Sequence, residues 1–501
     1  MEQLLALPIA IPLVGAGLCL AVARSLRAQA LICIGGMVAL TLSALAIFDA
    51  VRSEDILVLQ SGAWPAPFGI SLVADPLSAV LLLMSSIVGV AVAVYSVWAV
   101  DRDRRGFFYF PLLLVLMLGV QGSFLTGDLF NLYVCFEVML MASFVLLTLG
   151  GDRRQMEGGV KYVILNLLSS AIFLTATGLL YGAVGTLNMA DLSVQIARSD
   201  SPEVMNSLAM LFLVAFGLKA ALFPFSFWLP ASYHTPPFAV SAIFAGLLTK
   251  VGIYALLRTF TLLFVGDTDF THTVLAIVAA ASIVVGGFGA LVQQDIRRVF
   301  AFQIVTTVGY MALGIALGTT IAISAVIFYL VIDIVTKTNL FLVGGVAERL
   351  RGSGRLESLG GLWRERPYLS LMLLVSLLTV AGVPPLPGFW PKLALIVTSI
   401  SVGEGSLVII IALGGFLSLF AGMRVFSRAI WEPAVEPAPV AADAPRRAEE
   451  LRWMFVPPAV MTALLIVFAV TAGSLFDYAE DAAEQILDPE NYVRAVLVEG
   501  R

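Results

Sequence analysis

The sequence predicts an all-α polytopic membrane protein of about fourteen transmembrane helices. Three observations carry this reading. Of 501 residues, 60% are hydrophobic and only 13% charged, with a mean hydropathy of +0.98. Apolar runs of about 20 residues, the length of one bilayer crossing, recur along the whole chain. Clusters of turn formers or charges separate them. Uninterrupted runs exclude a β-barrel, whose strands alternate, and lipid offers no partner to unpaired backbone groups.

The apolar runs place the first seven spans at 4–24, 28–50, 75–99, 107–126, 128–150, 159–184 and 205–229. The next seven fall at 237–264, 272–292, 298–318, 320–347, 368–402 with an internal break, 405–427 and 453–475. The amino terminus carries Glu2 ahead of its apolar run and basic residues after it, the reverse of a cleaved leader, so the first run reads as a retained span. Cys19, Cys33 and Cys135 lie in apolar runs at spacings that fit neither disulfides nor a metal, and read as packing residues.

Loops after spans one, three, five, nine, eleven and thirteen hold most of the 29 basic residues, which places those loops in the cytoplasm and both termini outside. The net charge of −5 is dominated by outward acid such as "DYAEDAAEQILDPENYV", and nothing basic enough for nucleic acid is present. The stretch 428–452 reads as a cytoplasmic Pro/Ala linker, and 453–501 as a last helix with an acidic outward tail.

Six charges lie well inside apolar runs: Glu137, Lys219, Lys250, Asp333, Lys337 and Lys392. A charge near the bilayer centre costs about 3 kcal/mol even on the lenient insertion scale. Structural ion pairing is the bland explanation, but four lysines cannot all be matched by two acids. Surplus buried amines suit proton handling, since burial disfavours an ammonium and a nearby carboxylate restores it. Asp333 and Lys337, four residues apart, share one helix face, a spacing that allows a local pair. Arg258 and Arg424, near span ends, are expected to snorkel and are left out of the site. His234, in the loop "ASYHTPPFAV", has the basicity of a proton donor.

Two spans are interrupted by proline and glycine. The seventh breaks at Pro224, just after Lys219, and the twelfth at Pro384, Pro385, Pro387 and Gly388, just before Lys392. Matched breaks in two halves mark an ion path at a repeat interface. Spans four to eight (107–264) and nine to thirteen (272–427) therefore read as two five-helix repeats, inverted because an odd number of crossings separates them; helices 1–3 occupy 1–99. No phosphate loop or paired-cysteine metal motif occurs, only two histidines are present, and no cofactor is expected.

Four stretches, "DLFNLYVCFEVMLMASFVL", "GLKAALFPFSFWLPASYHTPPFAVSAIFAGLLTK", "QQDIRRVFAFQIVTTVGYMALGIALG" and "GVPPLPGFWPK", resemble the antiporter-like subunits shared by respiratory complex I, membrane-bound hydrogenases and multi-subunit Mrp Na+/H+ antiporters. "DIVTKTNLFL", "GFWPKLALI" and the chain length are most similar to the D-type branch of the Mrp antiporters. The resemblance implies a fourteen-helix fold and a Glu137–Lys219 pair. Lys250, Lys337 and Lys392 would continue a polar axis from it. It further implies a bacterial cell membrane, other membrane subunits as partners, and H+ exchanged for Na+ rather than an enzymatic reaction. Ile332 stands where many such chains have a histidine before the aspartate. A proton-pumping subunit of a redox complex is the alternative, and a structural subunit a third. No residue is assigned to Na+.

Overall fold

The computed structural model describes residues 2–433 and 450–499. The middle of the 428–452 linker lies outside the described residues. Twelve helices are long and apolar enough to cross a membrane, and three shorter apolar helices accompany them. The polytopic helical reading therefore holds.

In chain order the helices are α1 (Leu7–Ala21), α2 (Leu26–Glu54), α3 (Pro76–Ala99), α4 (Tyr109–Leu125), α5 (Leu129–Thr148) and α6 (Arg153–Val184). Then come α7 (Pro202–Ala220), α8 (Phe238–Leu262), α9 (Thr268–Val292), α10 (Ile296–Leu317) and α11 (Thr320–Arg351). The interrupted twelfth span is α12 (Pro367–Ala381) and α13 (Phe389–Ser401), followed by α14 (Gly405–Phe426) and α15 (Val456–Val470). The centre of the molecule is built around α8, α10 and α11, which are almost wholly buried by their neighbours, whereas α1, α2, α6, α9 and α14 expose apolar flanks.

One small element joins the helices, and two expectations need correction. Between α2 and α3, β1 (Leu57–Gln60) and β2 (Ser71–Ala74) form a short antiparallel hairpin in the otherwise helical chain, with Leu57 opposite Ala74. Helix continues to Trp431, so the linker begins later than 428. The acidic carboxy-terminal stretch is not a free tail. It folds as α16 (Ala472–Leu487) and α17 (Pro489–Arg494), and buries Ala479, Ala482, Ala483 and Ile486, one face at helical spacing, while its acids point away. Tyr478 of α16 donates to the Pro76 carbonyl at the start of α3, at 2.7 Å.

Both predicted breaks are present and built alike. α7 ends at Ala221 in the left-handed region (φ 61°), and the Leu222 N–H returns to the Gly217 carbonyl at 2.8 Å. α12 ends at Gly382 (φ 81°), and Val383 returns to Leu378 at 3.1 Å. These are the bonds that close a helix through a left-handed cap. Glycine adopts that φ without strain, whereas Ala221 holds it at a cost of about 1–3 kcal/mol. Pro224 and Pro385, each three residues after its cap, lack the N–H needed to resume the helix. Gly388 lies where a Cβ would run into the Thr379 carbonyl, so the returning chain packs directly on the end of α12.

Candidate functional site: a buried file of lysines

Lys219, Lys250, Lys337 and Lys392 are all buried, at 4%, 0%, 0% and 6% exposure, and Asp333 at 2%. At those values none can rely on bulk water for its charge. The partners of each amine therefore decide what it can do.

Lys219 sits in the last turn of α7. Its Nζ donates to Ser170 Oγ at 2.9 Å and the Asn166 carbonyl at 3.5 Å, both on α6, and lies 5.7 Å from the Phe136 ring centre. The expected contact with Glu137 is not made. Glu137 follows Phe136 on α5, acts on Lys219 through space, and leaves its Oε1 without a hydrogen-bond partner. The amine instead rests near the phenyl ring of the residue beside Glu137.

Lys250 lies two residues beyond a π-helical turn, Phe244–Leu248, within α8. Lys250 Nζ donates to the Ala245 carbonyl inside that turn at 2.7 Å. Gly246 permits the turn to press against α11, since a Cβ there would collide with Thr338 Oγ1 and approach the Ile334 carbonyl at 3.2 Å. The same ammonium is 2.8 Å from Asp333 Oδ2 on α11.

The i, i+4 spacing allowed Asp333 a local pair with Lys337, which the structure contains. In the structure the closer partner is Lys250, while Lys337 Nζ lies 3.7 Å from Asp333 Oδ1 and donates to the Gln303 carbonyl at 3.0 Å. Thr307 Oγ1 donates to Asp333 Oδ2 at 3.2 Å. One carboxylate thus serves two ammoniums, from α8 and α11. Ile332, beside it, is buried and offers no proton-binding group.

Lys392, in the first turn of α13, points back across the break. Its Nζ donates to the Val380 and Ala381 carbonyls at 2.8 Å each and lies 4.9 Å from the Tyr310 ring centre. These carbonyls are left over where α12 stops, and the end of a helix favours a cation. Neither Lys219 nor Lys392 has a carboxylate within ion-pairing distance among the described residues. The surplus of amines inferred from the sequence is real.

His234 does not touch the lysines. Its Nδ1 lies 3.0 Å from the Pro230 carbonyl and its Nε2 3.2 Å from Arg298 Nη2, which fits a ring that donates from Nδ1 and accepts at Nε2. Burial, then the Arg298 guanidinium, hold its pKa below the usual histidine value. It lines a cavity of about 920 Å³ together with Arg154, Lys161, Asp295, Arg298 and Glu348, at the end of the molecule that carries the basic loops.

Arg258 overturns the snorkelling expectation. It is buried and holds Asp75 at 2.5 Å, and Asp75 was missed as a buried acid. The clue was available: Asp75 before Pro76 is a helix start, and Arg258 closes a span at the same membrane face. Arg424 turns to the Leu291 carbonyl at the end of α9.

Comparison with known proteins fits this geometry. Residues 126–418 match the family described as NADH:quinone oxidoreductase/Mrp antiporter, TM. The chain is 39% identical over 500 residues to the D-type Na+/H+ antiporter subunit of Alkalihalophilus pseudofirmus, with all of both chains covered. Its fold is similar to a chain of the Mrp complex from Dietzia sp., at 29% identity and a TM-score of 0.90, covering 99% of this chain and 100% of that one. It is also similar to a chain of the membrane-bound sulfane sulfur reductase, an archaeal respiratory membrane complex, at 26% identity, a TM-score of 0.90 and the same coverage.

Proposed function

The chain belongs to the NADH:quinone oxidoreductase/Mrp antiporter family, and on that premise we propose that it is the proton-translocating D-type member of a multi-subunit Na+/H+ antiporter in a bacterial cell membrane. It is a transporter subunit rather than a catalytic enzyme, and works with the other membrane subunits of that complex. The observation that carries the reading is the junction at Asp333: a single carboxylate within reach of Lys250 and Lys337, flanked by two amines, Lys219 and Lys392, that have only hydroxyl or carbonyl partners.

Protons pass along Lys219, Lys250, Lys337 and Lys392. Asp333 can neutralise one neighbour fully at a time. A proton arriving at Lys337 draws the carboxylate from Lys250, whose own proton then becomes easier to pass on. Lateral Coulomb coupling of this kind is strong between close charges away from water. Through-space action of Glu137 on Lys219 biases the first step. Sodium moves the other way, and we assign none of its path to these residues.

Fourteen crossings follow if α4 counts as one span and α12 with α13 as another. The two inverted repeats, α4–α8 and α9–α14, are supported by shared construction. Asp128 caps α5 and bridges Asn188, three residues past the α6-ending Gly185; Asp295 caps α10 and bridges Arg355, three past the α11-ending Gly352. The lysines themselves are not at equivalent positions. Counted from the two breaks, Lys219 corresponds to Val380, and Lys392 delivers its ammonium to the carbonyl of that same residue from the far side. The distribution of basic loops supports cytoplasmic loops at the His234 end and outward termini.

Na+-induced collapse of a pH gradient in everted vesicles carrying the whole gene cluster tests the reading. Wild type should respond to added Na+, and Lys219→Ala at matched expression should not. The likeness to a respiratory complex favours a second reading, a proton pump driven by redox subunits. A wild type blind to Na+ would move that reading ahead.

A further inference from the structure

Lys250, Tyr254 and Arg258 follow one another at four-residue intervals and so occupy one face of α8. At the end of that face, Arg258 Nη2 meets Asp75 Oδ2 at 2.5 Å, with exposures of 5% and 2%. The other carboxylate oxygen, Oδ1, accepts the Ser78 N–H at 2.8 Å and caps α3. Arg258 lies over the rings of Tyr254 and Tyr492, at 5.5 and 5.4 Å. Tyr254 in turn donates to the Phe124 carbonyl at the end of α4, at 3.1 Å. The pair therefore ties α8 to α3 and α4 and is closed over by the carboxy-terminal segment, through Tyr492 of α17 and the Tyr478–Pro76 hydrogen bond of α16.

A buried ion pair stabilises little by itself, since desolvation consumes most of the attraction, so its presence points to a geometry that it fixes. The geometry at stake is that of Lys250. On one side of Lys250, α8 is pinned by Arg258; on the other lies the π-turn at Phe244–Leu248, where a helix readily changes its winding. With the Arg258 end fixed, any change in winding is confined to the π-turn side, and Lys250 keeps its reach to Asp333.

We propose that Asp75 and Arg258, clamped by the carboxy-terminal helices, are positioning residues that hold the Lys250 helix in register with Asp333. The proposal rests on Lys250 being a proton carrier. The groups facing the Arg258 guanidinium are Asp75 from α3, Tyr254 from α8 and Tyr492 from α17; Tyr478 of α16 and Asp128 at the start of α5 stand behind them.

The test uses the whole complex in everted vesicles, with assembly checked on native gels. Arg258→Lys keeps the charge but loses the fork and much of the stacking. It should assemble, lower Na+/H+ exchange by about tenfold to hundredfold, the scale of a displacement near 1 Å, and move the pH profile of exchange. Tyr492→Ala should move the profile in the same direction by less. The exchanged pair, Asp75→Arg with Arg258→Asp, should recover part of what Arg258→Gln loses. Lower rates with an unmoved pH profile, or failure of every variant to assemble, would reduce the pair to a structural contact and overturn the proposal. A wild type that ignores Na+ would instead overturn the antiport reading, which separates the two failures.

Discussion

Replacing Asp333 with asparagine removes one negative charge and almost no volume. With Asp333 Oδ2 2.8 Å from Lys250 and Oδ1 3.7 Å from Lys337, the attractions are about 6 and about 4 kcal/mol at an effective dielectric of about 20. Desolvation offsets much of this in the intact protein, but Asp333→Asn leaves both amines without a counter-charge. Breaking a buried pair from one side costs about 3–5 kcal/mol. Applied to a proton-transfer step, that is a loss of about 10²–10⁴-fold in exchange. The assay is Na+-dependent collapse of a pH gradient in everted vesicles at matched expression, with the thermal midpoint of the purified complex measured alongside. Asp333→Asn should abolish the response and lower the midpoint. Exchange within a few-fold of wild type would refute the idea that Asp333 links the two halves of the lysine file.

Two further predictions concern its surroundings. His234 has a folded pKa below its unfolded value of about 6.5, so the unfolded chain binds more protons in the interval between them. The stability it contributes is complete above about 6.5 and is lost as the pH falls through the folded value. Amide exchange in the 230–237 loop should quicken over that interval, and His234→Asn should remove the dependence; a flat wild-type profile would contradict the assignment. Gly246→Ala forces a methyl group against Thr338 Oγ1 and towards the Ile334 carbonyl, which cannot swing away, and should destabilise by about 1–3 kcal/mol. An unchanged thermal midpoint would contradict the close approach of α8 and α11.

What could be read from the sequence was the part set by local chemistry. Long apolar runs fixed the spans, and Pro224 and Pro385 fixed the breaks, because a missing N–H acts where it stands. The surplus of lysines over acids was a matter of counting. Partner choice was not legible. Asp333 has Lys337 four residues along its own helix, but Lys250 reaches it from α8 through a π-turn that leaves no sequence signature beyond Gly246. Lys219 turned to Ser170 and Asn166 on α6 rather than to Glu137, a choice of partner that no spacing in the sequence declares. The helix at Ala472–Leu487 was legible and missed: Ala479, Ala482, Ala483 and Ile486 keep helical spacing, but the acids on the other face read as an acidic outward tail. In the β1–β2 hairpin, strands of four residues are too short for alternation to declare them.

Exchange by Lys250→Ala, in complexes assembled to wild-type level, tests the central claim most directly. Lys250 is fully buried and reaches the other half through its ion pair with Asp333. If protons travel along the lysine file, Na+-triggered collapse of the pH gradient falls to background. If exchange continues at the wild-type rate, the protons take another route and the file is structural.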